Sequence, residues 1–324
     1  MTAEFRVGDL APQPPRPIPE SELIANRVNG LPTATILCVT FQAADFIADA
    51  LSGMLSQISS YPFHVIVRDD GSTDGTQDIL REFASEYPET IHLVLESENT
   101  YESIRPFSAL ASFPLGDFVL LCEGDDYWLD PLKLEKQISA LQSKPSAVVA
   151  FHDSIVIDEG RITAVSRLLG KGRDYTAAEV LAGARMTADT LCFRNVGIPI
   201  SPYELRFEGW IKVIRTHLGE HGSAIFLKDV IPSVYRRHSA SITRRQSPAE
   251  ATISTASTNF WIAVTLAERG HAEAARSHLK RAANQILGAS EFLNLGPTPR
   301  ESERRLSWPL ALRALQRVIP LRRR

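Results

Sequence analysis

The sequence predicts an α/β fold: a mainly parallel sheet flanked by helices, followed by a helical C-terminal extension. Three observations carry this. Short β-branched or apolar runs (ATILCVT, HVIVR, IHLVL, FVLLC) alternate with longer stretches of helical period between residues 34 and 122. From Pro248 onward the pattern is almost wholly helical, broken at Gly270-His271. A length of 324 residues, 44% hydrophobic and 23% charged, describes one large globular domain or two linked ones rather than a disordered chain.

The elements follow in order. Residues 11–20 hold five prolines, which remove backbone donors and favour extended chain, so residues 1–32 read as a leader and not as a core element. Residues 33–245 form the α/β domain. After ATILCVT, the residues Phe46, Ile47, Ala50, Leu51, Met54, Leu55 and Ile58 recur at three- and four-residue spacing, giving one apolar helix face between Ala44 and Ile58. HVIVR is the next strand, then a helix over Thr76 to Tyr87, then IHLVL and FVLLC, then a helix from about Pro131 to Ser143. AVVAFHDSIVID, a turn at Glu159-Gly160 and RITAVS read as a hairpin, where the regular alternation ends. A helix over Ile211 to Glu220 and a strand pair around AIFL and VIPSVYR complete the domain, and residues 246–324 supply an antiparallel helix pair and a basic tail.

Composition excludes several classes. A net charge of -3 gives no chain-wide basic field, so no nucleic-acid partner is expected. Three cysteines, Cys38, Cys122 and Cys192, are too few and too far apart for a disulfide framework or a zinc knuckle, and read as buried reduced thiols. The start, MTAEFRVGDLAPQPPRP, has no apolar core of a signal peptide, and no apolar run approaches the ~18 residues of a spanning helix. A cytoplasmic protein is expected.

Two stretches carry the chemistry. In VIVRDDGSTDGT (Val65 to Thr76) an apolar strand runs into Asp69 and Asp70, then glycines, small hydroxyls and Asp74 before a helix. Ligands of an open parallel sheet bind beyond the carboxyl ends of its strands, where these acids project. Turn and capping chemistry explains Asp74 and the glycines but not the doubled carboxylate. A calcium-loop reading starting at Asp70 fails, because its last ligand position falls on Arg81. Neither the dinucleotide fingerprint nor a P-loop follows the first two strands. In FVLLCEGDDYW (Phe118 to Trp128) a second strand ends in Glu123, Asp125 and Asp126. Three clustered acids repel one another unless a cation offsets them, and hard oxygen ligands suit Mg²⁺ or Mn²⁺ bridging to a diphosphate. A solvated acidic turn is the alternative, and Tyr127 and Trp128 argue against it.

ATILCVTFQ, RDDGSTDGT and EGDDYW, in that order, resemble the family 2 glycosyltransferases of the GT-A fold, whose sheet is mainly parallel and Rossmann-like; the similarity covers about Ala34 to Ser241. The resemblance implies transfer of a sugar from a nucleotide-diphosphate sugar, usually UDP-linked, to an acceptor hydroxyl with inversion and with Mg²⁺ or Mn²⁺ as cofactor. It implies that Thr40 and Phe41 line the nucleotide pocket and that Asp69 or Asp70 accepts a hydrogen bond from the base. Asp125 matches the metal-binding acid. Glu123 stands where a first Asp is common and contacts metal or ribose, while Asp126 faces the acceptor or orients the loop. Arg105 joins the donor-binding set. SVYRRHSASITR resembles a later Y-R-x-H element, making Arg236 a diphosphate contact and His238 a metal ligand.

Inversion needs a base for the acceptor's proton. The family places an Asp just before a tryptophan; here RFEGWIKV offers Glu208, one residue early, with Asp189 in MTADTLCFRN in reserve. Two other readings are a sugar nucleotidyltransferase, whose glycine-rich basic loop FQAADF lacks, and a non-catalytic glycan- or nucleotide-binding domain. The expected partners are a nucleotide-sugar donor and a glycan or lipid-linked acceptor of cell-envelope polysaccharide synthesis. Residues 301–324 hold seven arginines against two glutamates, with Trp308, Leu312, Leu315 and Ile319 along one stripe. Such a tail either lies on the inner face of an anionic membrane as a peripheral contact or packs on protein.

Overall fold

The computed structural model describes residues 4–25, 33–100, 115–168, 171–197, 209–239, 241 and 247–288. The chain divides into two compact units: Met1–Val180 with Ala184–Ile198 and His217–His238, and Leu181–Gly183 with Pro199–Thr216 and Ser239–Arg324.

The first unit is built on a seven-stranded sheet of order β3-β2-β1-β4-β8-β5-β9. Strands β1 (Ala34–Thr40), β2 (Phe63–Asp69), β3 (Ile91–Leu95) and β4 (Phe118–Glu123) are parallel neighbours. β8 (Cys192–Arg194) runs antiparallel between β4 and β5 (Ala147–Phe151), and β9 (Ser223–Phe226) pairs parallel with β5. The register sets Thr40 beside Asp69 and Val39 beside Glu123, so the acid-bearing ends of β2 and β4 flank the end of β1. Near-continuous burial of β1, β2 and β4 is what a sheet covered on both faces requires.

Helices α1 (Glu20–Leu23), α2 (Ile47–Leu55), α3 (Thr76–Glu86) and α4 (Lys133–Ser143) precede β5. The apolar face read from the sequence is the buried face of α2, carried by Ile47, Ala50, Leu51, Met54 and Leu55; Ile58 falls beyond the helix and is exposed. All three cysteines are reduced and buried, as expected.

The hairpin of β6 (Ser154–Asp158) and β7 (Arg161–Ala164) turns through Glu159 and Gly160, both at positive φ (49° and 73°). β10 (Ser233–Arg237) pairs parallel with β6, giving a second sheet of order β10-β6-β7. The strand pair expected around AIFL and VIPSVYR therefore does not form: β9 takes the edge of β5 and β10 the edge of β6. The switch lies at Asp153, between β5 and β6. Its carboxylate accepts from the backbone N–H groups of Ser154, Arg167 and Leu168, bending the chain out of the large sheet.

The leader departs from expectation. Its non-proline residues serve as donors and acceptors against β7 and the turn before it: Gly8 N donates to Ile162 O (2.8 Å), Ile162 N to Asp9 O (2.9 Å) and Ala11 N to Gly160 O (2.8 Å). Phe5 and Ala11 pack on the cluster of Tyr127, Ile155, Ile157, Ile162 and Val234, and Leu23 enters the main core. Prolines keep this segment extended, which is why a stretch unable to form a central strand still covers the edge strand β7.

In the second unit, α7 (Pro248–Glu268) opens with a capping box between Ser247 and Glu250 and Pro248 in its first turn. A turn at Gly270 (φ 87°) leads into α8 (Ala272–Gly288). Val213 packs with Ile262, Ala263, Leu266, Ala274 and Ala275. Between α5 (Ala177–Leu181) and β9 lies α6 (Trp210–Leu218), matching the helix read over Ile211 to Glu220. No helix among the described residues is long and apolar enough to cross a membrane.

Candidate active site

The site lies at the carboxyl ends of β1, β2 and β4. Backbone bonds tie the three loops together there: Asp70 N donates to Thr40 O (3.1 Å) and Gly124 N to Val39 O (2.9 Å). A Cβ on Gly124 would sit 2.5 Å from Thr40 Oγ1, so only glycine lets the acidic loop lie this close to β1.

Beyond β2 the two aspartates differ. Asp69 Oδ1 accepts from Ser72 N (2.8 Å) and Gln77 Nε2 (2.7 Å), and its other oxygen accepts from the Ser72 hydroxyl. Both oxygens thus shape the loop. Asp70 Oδ1 is held by the buried Arg68 guanidinium (3.1 Å) and by Thr100, while its buried Oδ2 has no partner among the described residues. Thr40 Oγ1 is likewise buried and unpartnered, and Phe41 beside it is 38% exposed.

Beyond β4, Glu123, Asp125 and Asp126 offer carboxylate oxygens that all lie within 4.8 Å of one another. Asp126 is 1% exposed; its Oδ1 accepts from Arg236 N (2.8 Å) and its Oδ2 has no partner among the described residues. Burial, then the charges of Asp125 and Asp189, push the Glu123 carboxyl up to about 8 and raise that of Asp126 well above the usual range. A cluster with Asp126 buried and Glu123 and Asp125 half-buried, its carboxyls pushed toward the protonated form in this way, has the oxygen donors and the missing charge of a hard divalent-cation site. The residues fit Mg²⁺ or Mn²⁺.

β10 brings the next components. His238 Nε2 lies 3.0 Å from Asp125 Oδ2, and Arg236 donates to Asp49 Oδ2 (2.7 Å) while its guanidinium covers Phe46 and Tyr127. The structure thus brings Thr40, Phe41, Asp70, Glu123, Asp125, Asp126, Arg236 and His238 to one end of the sheets. Arg105 and Glu208 lie outside the described residues, as does the tail from residue 289. Asp189 is fully buried behind the acidic loop, with Arg167 Nη1 at 3.4 Å from its Oδ1. Its backbone carbonyl accepts from Trp128 Nε1 (3.0 Å) and Ser233 Oγ (3.0 Å).

Three residues escaped the sequence reading. Asp49 occupies the polar side of an apolar helix and Arg167 follows a short hairpin; neither belongs to a contiguous motif, and only the fold brings them to the site. Lys133, fully buried against Trp128 at 3.9 Å, was also unmarked, and burial pushes its ammonium down to about 8.

A mainly parallel sheet with carboxylates at the ends of the two strands that flank β1, met by a His and an Arg at the end of a second sheet, defines an α/β protein with a ligand crevice beyond the carboxyl ends of its strands. Residues 35–205 match Glycosyl transferase family 2, and the chain belongs to that family. It is 30% identical over 215 residues to an uncharacterized protein of Mycobacterium tuberculosis, covering 64% of this chain and 60% of that one. The match thus spans less than two thirds of that relative. A putative teichuronic acid biosynthesis glycosyltransferase of Bacillus subtilis, TuaG, is 32% identical over 133 residues, 41% of this chain and 51% of TuaG. Among solved structures, S. aureus TarS 1-349 with UDP-GlcNAc superposes with a TM-score of 0.60 at 17% identity, covering 89% of this chain and 82% of that one. The mannosyltransferase PcManGT of Pyrobaculum calidifontis, with GDP-Man and Mn2+, gives 0.53 at 19% identity, covering 95% and 84%. These two likenesses establish the GT-A fold.

Proposed function

We propose that the protein transfers a sugar from a nucleotide-diphosphate sugar, UDP-linked, to an acceptor hydroxyl with inversion, in the synthesis of a cell-envelope polysaccharide. The observation that carries this reading is the carboxylate cluster at the end of β4, Asp126 buried and Glu123 and Asp125 half-buried, with an open oxygen on Asp126 and His238 against Asp125. The donor ligands of the two solved neighbours and the polymer named for TuaG support the substrate class.

Asp125, His238 and Glu123 would hold Mg²⁺ or Mn²⁺, which when bound neutralises diphosphate charge as the sugar departs. Asp70, through its open Oδ2, accepts the base N–H, and Phe41 offers its face to the base. Arg236 holds its side of the pocket through Asp49. Arg105 remains a proposed donor contact. Glu208, two residues before Trp210, is the proposed base that takes the acceptor proton, and the C-terminal tail the proposed peripheral contact with anionic membrane.

The test is release of UDP from a panel of UDP-sugars in the presence of Mn²⁺ and a lipid-linked or polysaccharide acceptor. Glu208→Gln is expected to lower kcat by ~10² or more with donor affinity retained. Release that is absent for every UDP- and GDP-sugar, with the nucleotides themselves unbound, would contradict the reading.

A further inference from the structure

In the first unit, Arg167 stands beside the acidic loop through its contact with Asp189. It follows β7, and its backbone N–H is fixed by Ser154 O (2.8 Å) and Asp153 Oδ1 (3.0 Å). The Asp153 carboxylate also takes the Ser166 hydroxyl and the Leu168 N–H, so the turn that projects Arg167 is pinned at three consecutive residues. The guanidinium lies flat on Tyr235 at 3.6 Å and touches Asp189 at 3.4 Å through Nη1. Its side chain is 23% exposed, and among the described residues Nε and Nη2 have no protein acceptor. Asp189, in contrast, is fully buried, and its Oδ2 has no partner among the described residues.

This is a pre-set cation. Stacking fixes the plane of the fork, the ion pair fixes its rotation, and two N–H edges stay available. Side chains alternate along β10, so Tyr235 and Arg236 point to opposite faces of the strand. Arg167 therefore flanks the acidic loop from one face of β10 and Arg236 from the other. A fixed guanidinium beside a cation-binding carboxylate cluster is suited to an anion that arrives with that cation; a neutral hydroxyl would make little use of its charge.

We propose that Arg167 contacts the β-phosphoryl group of the donor diphosphate, and that Asp189 is a positioning residue that holds Arg167 rather than the base. This rests on the nucleotide-sugar reading above. Full burial and an existing ion pair leave Asp189 no path to an acceptor hydroxyl, whereas both suit it to orient an arginine.

Binding of UMP and UDP with Mn²⁺ by calorimetry, to the full chain and to Arg167→Gln, Arg167→Lys and Asp189→Asn, tests the proposal. Arg167→Gln should weaken UDP about tenfold or more and leave UMP within about twofold. Arg167→Lys should fall between, since lysine keeps the charge and loses the fork. Asp189→Asn should weaken UDP in the same sense, and the double variant should be no weaker than Arg167→Gln alone. UDP affinity unchanged in Arg167→Gln would overturn the proposal, as would an Asp189→Asn protein that binds UDP normally and has lost kcat. If Asp189→Asn fails to fold, the two Arg167 variants decide the matter alone. Wild-type protein that binds UDP while Arg167→Gln weakens UMP equally would also contradict it. Wild-type protein that binds no UDP would instead bring down the nucleotide-sugar reading, and this inference with it.

Discussion

His238 Nε2 lies 3.0 Å from Asp125 Oδ2, joining residues 113 positions apart in the chain. Asp125 follows β4 of the large sheet, and His238 follows β10 of the small one. The proposed metal set is thus assembled only when the two sheets meet at the Tyr127–Val234 bridge. His238→Ala should weaken Mn²⁺-dependent donor binding about 10- to 100-fold, the range for losing a ligand or its orienting partner. Equal Mn²⁺ affinity in the variant, measured by calorimetry, would remove His238 from the site.

The acidic cluster predicts a pH effect. The Glu123 carboxyl is pushed up to about 8 from an ordinary 4.5 by burial and by Asp125 and Asp189. A carboxyl raised in the folded state favours folding in acid and loses that advantage as pH rises through its folded value. The metal-free protein should therefore become less stable from about pH 5 to 8 through this group, and Glu123→Gln should flatten the decline. Mn²⁺ should stabilise most near pH 8, and its binding near pH 7 should release protons, seen as a buffer-dependent calorimetric heat. A binding heat that is the same in buffers of different ionisation enthalpy would refute this.

Lys133 predicts an opposite slope at higher pH. Its ammonium, ordinarily at 10.5, is pushed down to about 8 by burial beneath Trp128. The unfolded chain then binds the proton more tightly, so folding gains as pH rises from 8 to 10.5, by about 3 kcal/mol over the full interval. Denaturant melts of wild type and Lys133→Met across that range should diverge in favour of wild type. Parallel curves would show that the ammonium is better solvated than its burial indicates.

Gly53 on α2 faces the backbone of Trp128, where a Cβ would meet Trp128 N and O at 2.8 Å. An alanine in a helix interior ordinarily gains up to about 1 kcal/mol over glycine, but overpacking against backbone costs about 1–3 kcal/mol. The clash should win. Gly53→Ala is expected to lower the melting temperature and, because Trp128 lies two residues past Asp126, to weaken donor binding as well. A stabilised variant would show that the acidic loop shifts freely.

Much of the frame was legible because it is local. The parallel strands, the apolar face of α2, the hairpin at Glu159-Gly160 and the break at Gly270 each follow from a periodicity or turn contained in a few residues. The acids of the site were legible for the same reason, since each group closes a strand. The branch between two sheets was not, because it depends on Asp153 binding a turn more than ten residues away. Asp49 and Arg167 carry no motif, and tertiary structure alone brings them in. Proline content hid the leader's role, which rests on the donors and acceptors of Gly8, Asp9 and Ala11 rather than on any apolar pattern.

The central claim is that the Glu123–Asp126 cluster couples a divalent cation to a nucleoside diphosphate. Calorimetric titration of UDP into the full chain, with Mn²⁺ and with EDTA, measures this directly. The account predicts binding with Mn²⁺ that is lost with EDTA and absent from a folded Asp125→Ala variant. Equal UDP affinity in Mn²⁺ and EDTA, or an Asp125→Ala protein that binds as tightly as wild type, would contradict it.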